Sequence, residues 1–220
     1  MRINKFVAAG SDLSRRAADT AIAYGRVQIN GVLAESGQDV GQDDTVTLDG
    51  RAITPAVKTT TIMLNKPRGY VVSRDGQGSP TVYDLLPPEY QLLNPIGRLD
   101  KDSSGLLLLT NDGTLAQELT HPSHQKVKVY DVTLFSPLQP LHRQMISDHG
   151  IKLEDGVSKL QLERRRDGND NEWIVAMREG RNRQIRRTFA SLGYTVKTLH
   201  RTHFGNYLLG DLKPSQIKVI

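Results

Sequence analysis

The sequence has 220 residues, 37% hydrophobic and 24% charged, with a formal net charge of +5 and a pI of about 9.4; this is the composition of a globular chain long enough for one large domain or two small ones. Its lack of cysteine excludes a disulfide framework, a thiolate zinc site and a cysteine nucleophile, and no apolar run approaches the roughly 20 residues of a membrane span. The opening MRINKFVAAGSDLSRR lacks the long apolar core of a secretory signal, so the expected compartment is the cytoplasm, without membrane association.

In chain order, Ile3, Phe6 and Val7 fall at helical spacing within residues 2–9, and Gly10 stops the helix. Ser14 is placed to cap a second helix, RRAADTAIAY, which Gly25 ends. Val27 and Ile29 then alternate before Asn30-Gly31, a strong hairpin signal. TVTLDGRAI adds a strand, an Asp49-Gly50 turn and a return strand. These pieces predict a helix–helix–hairpin unit with a small core. TPAVKTT, residues 54–60, reads as a linker.

Beyond it, TIMLNKP is strand-like and Pro67 stops it; RDGQGSP reads as a loop and TVYDLLP as a short helix or turn. Leu106 to Leu109 predict a buried strand closed by Asn111-Asp112-Gly113, with a helix over 114–120. Residues 126–135 alternate, placing Lys128, Tyr130, Val132 and Leu134 on one face. LQPLHRQMISDH predicts a helix ended by Gly150. Strands near 159–164 and 172–178 flank the turn RRDGND. NRQIRRTFASLG is an amphipathic helix burying Ile185, Phe189 and Leu192, and YTVKTLHRT is a last core strand. Strands dominate and helices are scattered, which is an α+β pattern.

Charges of both signs sit directly before the leucine run, in GRLDKDSS. A carboxylate entering a buried strand costs several kcal/mol unless it is paired or hydrogen-bonded. Asp100 is therefore either a turn aspartate capping backbone N–H groups or a group held for chemistry. A paired-carboxylate glycosidase would need a second acid, and Asp102 is too near in sequence to be placed by spacing alone. From Arg178 to Arg201 seven Lys/Arg face one acid, Glu179. Cations at a helix start are disfavoured by the dipole, so Arg181 and Arg183 point to an anionic partner such as phosphate. Arg186 lies about 100° round the helix from the buried Ile185, where it could reach a buried carboxylate. Residues 1–58 carry seven basic and seven acidic residues, but the basic ones, Arg2, Lys5, Arg15, Arg16 and Arg26 among them, come mostly first. The pairs His121/His124 and His200/His203 lack a third ligand, so no metal site is expected. No G-x-S-x-G elbow or phosphate-cradling glycine loop is present.

GRLDKDSSGLLLLTNDG (97–113) resembles the catalytic-aspartate motif of the ribosomal pseudouridine synthases of the RsuA, RluB, RluE and RluF type. NKPRGY (65–70), KVY (128–130), EGRNRQIRR (179–187) and LHRTHFGNYLLGDL (199–212) are similar to the family's other blocks, in order. The N-terminal stretch INKFVAAGSDLSRRAADTAIAYGRVQINGVL resembles an S4 RNA-binding domain. Thr188, after the paired arginines, and Asp131, after the tyrosine, depart from the apolar residues usual there.

The resemblance implies a small α/β S4-like RNA-binding domain over 1–55, a linker over 56–60, and a catalytic domain with a mixed, largely antiparallel sheet over 61–220. It implies isomerisation of a ribosomal RNA uridine to pseudouridine, with 23S RNA slightly favoured over 16S, by a monomer acting on ribosomal RNA or an assembly intermediate, with no cofactor and no metal. The family's aspartate falls on Asp100, its aspartate-pairing arginine on Arg186, its base-stacking tyrosine on Tyr130 and its apolar base support on Leu199. The expected RNA contacts are Arg2, Lys5, Arg15, Arg16, Arg26, Lys66, Arg68, Arg98, Arg181, Arg183, Arg187 and Arg201. The alternative is a non-catalytic S4-type ribosomal RNA-binding protein.

Overall fold

The computed structural model describes residues 1–55, 59–121, 123, 125–165 and 169–220. Its contacts divide the chain into two units, Met1–Thr59 and Thr60–Ile220. Part of the expected linker, 56–58, and His124 lie outside the described residues.

In the first unit, α1 (Ile3–Gly10) and α2 (Arg15–Ala23) share a core with a four-stranded antiparallel sheet. The strands are β1 (Val27–Ile29), β2 (Val32–Leu33), β3 (Val46–Leu48) and β4 (Arg51–Ile53), in the order β2-β1-β3-β4. Ser14 Oγ accepts the Ala17 N–H at 3.2 Å and so caps α2. Asn30-Gly31 and Asp49-Gly50 all take positive φ, as two-residue hairpin turns require. Ile3, Val7, Ala18, Val27 and Val46 are at most 1% exposed; burying each large aliphatic side chain stabilises by roughly 1.5–3 kcal/mol.

The second unit is built on one mixed sheet. In chain order its elements are β5 (Thr61–Lys66), β6 (Asn94–Ile96), β7 (Ser104–Thr110), α3 (Gly113–Thr120) and β8 (Lys128–Leu134). They continue with α4 (Pro140–Gln144), β9 (Ile151–Leu153), β10 (Gly156–Ser158), β11 (Gln161–Arg164) and β12 (Glu172–Met177). Last come α5 (Gln184–Ala190), β13 (Val196–Phe204), β14 (Tyr207–Leu208) and β15 (Ile217–Val219). The sheet runs β11-β12-β8-β13-β7-β5-β15, with β6 on β7 and β14 on β13, while β9 and β10 form a separate hairpin. Every pairing is antiparallel except β13 with β7.

The leucine run of β7 is buried on both faces. Leu107 and Leu109 join the large core with Tyr130, Val132, Ile185 and Phe189, whereas Leu106 and Leu108 join a smaller cluster with Met63, Ile96, Leu119 and Phe204. β8 instead alternates between buried and half-buried residues, as its sequence predicts. Two features differ from expectation. The helix over 138–149 is a short α4 that widens into a π turn over Met145–His149 before Gly150. The β9–β10 hairpin and the edge strands β14 and β15 are too short to carry a readable period. Thr188, one of the two departures, is fully buried; its hydroxyl donates to Ser158 Oγ at 2.7 Å, which explains a polar residue there.

The parallel step between β7 and β13 depends on Gly105, which has φ +104° and pairs with Arg201. A Cβ at Gly105 would overlap the Arg201 carbonyl oxygen. The Gly105→Ala variant is therefore expected to lose about 3 kcal/mol of stability, read as a lower midpoint in urea unfolding.

Candidate active site

β7 begins just after the turn that carries Asp100. In that turn the Ser103 N–H donates to the Asp100 carbonyl at 3.0 Å. Lys66, the last residue of β5, is fully buried, and its ammonium donates to the carbonyls of Ser103 at 2.7 Å, Asp100 at 3.1 Å and Pro67 at 3.1 Å. Burial lowers the Lys66 pKa to about 8, against the opposing pull of Asp100 and Asp102. The Gly69 N–H also donates to the Lys101 carbonyl, at 2.7 Å. The NKPRG segment thus clamps the Asp100 turn from beneath.

Two arginines clamp it from the side. Arg183 donates to both Asp102 carboxylate oxygens, at 3.0 and 3.1 Å, and lies 3.7 Å from Asp100 Oδ2. Arg186 donates to the Asp102 carbonyl at 3.0 Å and the Val196 carbonyl at 3.0 Å, and its Nε is 3.2 Å from Asp102 Oδ2. Burial pushes the Asp102 pKa up, but the Arg183 hydrogen bonds and the charges of Arg186 and Arg183 outweigh it and hold the carboxyl below its usual range. The expected Asp100–Arg186 ion pair is corrected here: Arg186 binds Asp102, and Arg183 is the arginine nearest the Asp100 carboxylate. A two-residue offset in the turn decides which carboxylate meets which guanidinium.

Asp100 opens onto a cavity of about 1040 Å³ whose wall also includes Tyr130, Leu199, Ile185 and Phe204. β8 and β13 bring Tyr130 and Leu199 to that wall through their shared pairing. The Asp100 side chain is 33% exposed, while Tyr130 and Leu199 are buried. Among the described residues Glu179 is the cavity's other carboxylate, and its Oε1 is engaged by Arg181 and Gln184.

Two of the expected RNA contacts, Lys66 and Arg201, are corrected. Lys66 is fully buried and holds the turn; Arg201 is 2% exposed and donates from Nε to the Leu106 carbonyl. Neither is a surface cation. Arg181 binds Asp155, the Val157 carbonyl and Glu179, and Arg187 binds Asp155 Oδ2 at 2.6 Å and the Asn182 carbonyl. The charge excess of residues 181–187 is thus met by Asp102 and Asp155, acids distant in sequence, and not by Glu179 alone. Arg183 sits at the start of α5 with φ 45° and is tied to Asp102. Arg68 and Arg98 are exposed, Arg98 on the cavity wall. In the first unit Lys5, Arg15 and Arg16 are exposed and in no ion pair among the described residues, whereas Arg26 binds Asp49 and Arg2 binds the Gly37 carbonyl and Asp39. Asp131, the other departure, lies 3.6 Å from Arg165. Among the described residues no group of three or more His, Cys, Asp or Glu could hold a metal, and no helix is long and apolar enough to cross a membrane.

Lys128 is a wall residue that the sequence did not single out as a site. Burial, and then the charge of Arg201, push its ammonium below the usual lysine range. Its place on the Tyr130 face of β8 was the available signal.

The family model described as RNA pseudouridylate synthase matches residues 60–191, and the S4 domain model matches residues 1–56. A ribosomal large subunit pseudouridine synthase B of Xylella fastidiosa is 38% identical over 219 residues, covering 94% of this chain and 46% of that protein. The chain thus spans about half the length of the first curated relatives it matches. A ribosomal small subunit pseudouridine synthase A of Haemophilus influenzae is 36% identical, covering 96% and 91%. A crystal structure of a pseudouridylate synthase superposes with a TM-score of 0.70 at 33% identity, covering 100% of this chain and 96% of that one.

The Lys66→Met substitution leaves buried carbonyls without their donor, at an expected cost of about 3 kcal/mol in chemical denaturation. Between pH 8 and 10.5, the folded and ordinary pKa values of Lys66, the unfolded chain binds the extra proton. Lys66 alone therefore makes stability rise with pH across that window, and Lys66→Met is expected to flatten the rise.

Proposed function

The chain belongs to the RNA pseudouridylate synthase family, and from that membership we propose that it isomerises a uridine of ribosomal RNA to pseudouridine, as a monomer in the cytoplasm. The C1′–N1 bond breaks, the uracil turns within the cavity, and C1′ bonds C5; C5 then loses its proton and N1 gains one. No atom is added or removed, so the protein's task is to extrude the nucleotide, hold it and supply a charged oxygen. Extrusion costs a few kcal/mol, offset by aromatic and apolar walls and by backbone contacts.

One observation carries the reading: Asp100, Tyr130 and Leu199, from three separate parts of the sequence, line one cavity. In this reading Asp100 attacks C1′ or takes a sugar proton, Tyr130 stacks on the base and Leu199 supports it. Lys66, Arg183 and Arg186 are positioning residues that hold the Asp100 turn. Lys5, Arg15 and Arg16 of residues 1–55, with Arg68 and Arg98, supply phosphate contacts. Relatives named for each ribosomal subunit match at 38% and 36% identity, so the target is sought in both RNAs.

Mapping pseudouridines in ribosomal RNA from cells with and without the protein should reveal a uridine modified only when it is present; an unchanged map sinks the reading. Asp100→Asn should abolish that modification and leave RNA affinity within a few-fold, whereas turnover by a pure preparation would refute the role of Asp100. Replacing Lys5, Arg15 and Arg16 together by Ala should lower the slope of log affinity against log salt by about 2. An unchanged slope in filter binding would remove them from the RNA contact.

A further inference from the structure

Among the described residues eight Lys and Arg line the cavity, and three of them are ion-paired. Arg181 and Arg183 bind carboxylates, and Lys126 lies 2.8 Å from Glu118. Arg98, Lys159 and Arg178 are in no ion pair among the described residues but are exposed, whereas Lys128 is half-buried. Among the described residues no carboxylate lies within ion-pair distance of it. Its nearest acceptors are the carbonyls of Glu179 at 3.4 Å and Lys126 at 3.5 Å, at the outer limit of a hydrogen bond.

A second positive group stands beside it. Lys128 Nζ lies 5.4 Å from the centre of the Phe204 ring and Arg201 Cζ lies 4.9 Å from the same centre. Arg201 Nη2 is buried and has no hydrogen-bond partner. Two like charges therefore share one aromatic ring, partly shielded from water, with no anion between them. Such an arrangement is costly until a negative group arrives. Gly180 passes the ammonium without a side chain: a Cβ there would lie 3.6 Å from Nζ.

The position relative to the base site is set by the sheet. Lys128 pairs with Phe204 and Tyr130 pairs with Arg201 across β8 and β13. Lys128 and Tyr130, two residues apart, point to the same face about 6.8 Å apart along the strand. That distance is on the scale of one nucleotide.

We propose that Lys128, backed by the Arg201 guanidinium across the Phe204 ring, binds a phosphodiester of the RNA backbone beside the target uridine. The proposal rests on the reading of the cavity as a uridine site. Lys128 makes the contact, and Arg201, almost wholly buried within the wall, supplies charge. The anion completes a site that the protein leaves unbalanced, and it fixes the backbone from which the uridine is turned out.

The test uses the full chain and a synthetic RNA fragment containing the mapped uridine. Lys128→Met should weaken binding about tenfold and lower the salt slope by about 0.7, the value for one contact to single-stranded RNA. Lys128→Arg should keep the slope. Neutral methylphosphonates are then placed singly at each phosphate from two nucleotides before the uridine to two after. At one position the wild type should lose about tenfold, and Lys128→Met should lose nothing further. Losses that add at every position, or a slope unchanged in Lys128→Met, overturn the assignment. A readout in the wild type covers a Met variant that does not fold. The Lys128 Cε resonance should shift with the parent RNA and stay in place with the methylphosphonate at that one position; a resonance indifferent to all five overturns the assignment. If the wild type forms no pseudouridine in the parent RNA, the underlying reading fails and this one with it. If pseudouridine forms but the losses add, only Lys128 is reassigned.

Discussion

A buried ammonium on Lys66 grips the carbonyls of Pro67, Asp100 and Ser103, and the rest of the site is arranged around that grip. An ammonium is an unusual occupant of a sheet interior, because burial disfavours its charge. Here three carbonyl dipoles and two nearby carboxylates compensate in part, and the pKa near 8 records what is left uncompensated. The result is a turn whose backbone is fixed independently of the Asp100 carboxylate. The carboxylate stays available to the cavity because the main chain does the holding.

The same separation of holding from chemistry recurs at the side. Asp102, two residues further on, takes the hydrogen bonds of Arg183 and the ion pair of Arg186. Asp155 takes Arg181 and Arg187. Solvent-exposed ion pairs contribute about 0.2–1 kcal/mol each; the larger effect of these is to fix the start of α5 against the Asp100 turn and the β9–β10 hairpin. An arginine-rich stretch that reads in the sequence as an RNA-facing patch thereby also frames the Asp100 turn. Positive charge in no ion pair among the described residues includes Lys5, Arg15 and Arg16 of the first unit, Arg68, Arg98, Lys159 and Arg178, and the Lys128–Arg201 pair.

Sheet geometry links these parts. The close approach of β7 to β13, permitted by Gly105, sets the Asp100 turn beside the strand that carries Leu199 and Arg201. The pairing of β13 with β8 then brings in Tyr130 and Lys128. The proposed isomerisation asks for a rigid, partly dry pocket and a precisely aimed oxygen, and a sheet centre buried on both faces supplies such rigidity.

Sequence alone determined the elements with local causes. The Ser14 cap, the Asn30-Gly31 and Asp49-Gly50 turns, the alternation of 128–134 and the leucine strand all follow from interactions within a few residues, which spacing and residue type encode. The family motifs also brought Asp100, Tyr130, Arg186 and Leu199 forward together. Tertiary structure alone decided the partners of the charges. Arg183 meets Asp102 across 81 residues and Arg187 meets Asp155 across 32, and nothing local in either segment specifies its mate. It also decided that Lys66 and Arg201 are interior, since a single charged residue carries no period. A lysine or arginine reads as solvated until the sheet that closes over it is known.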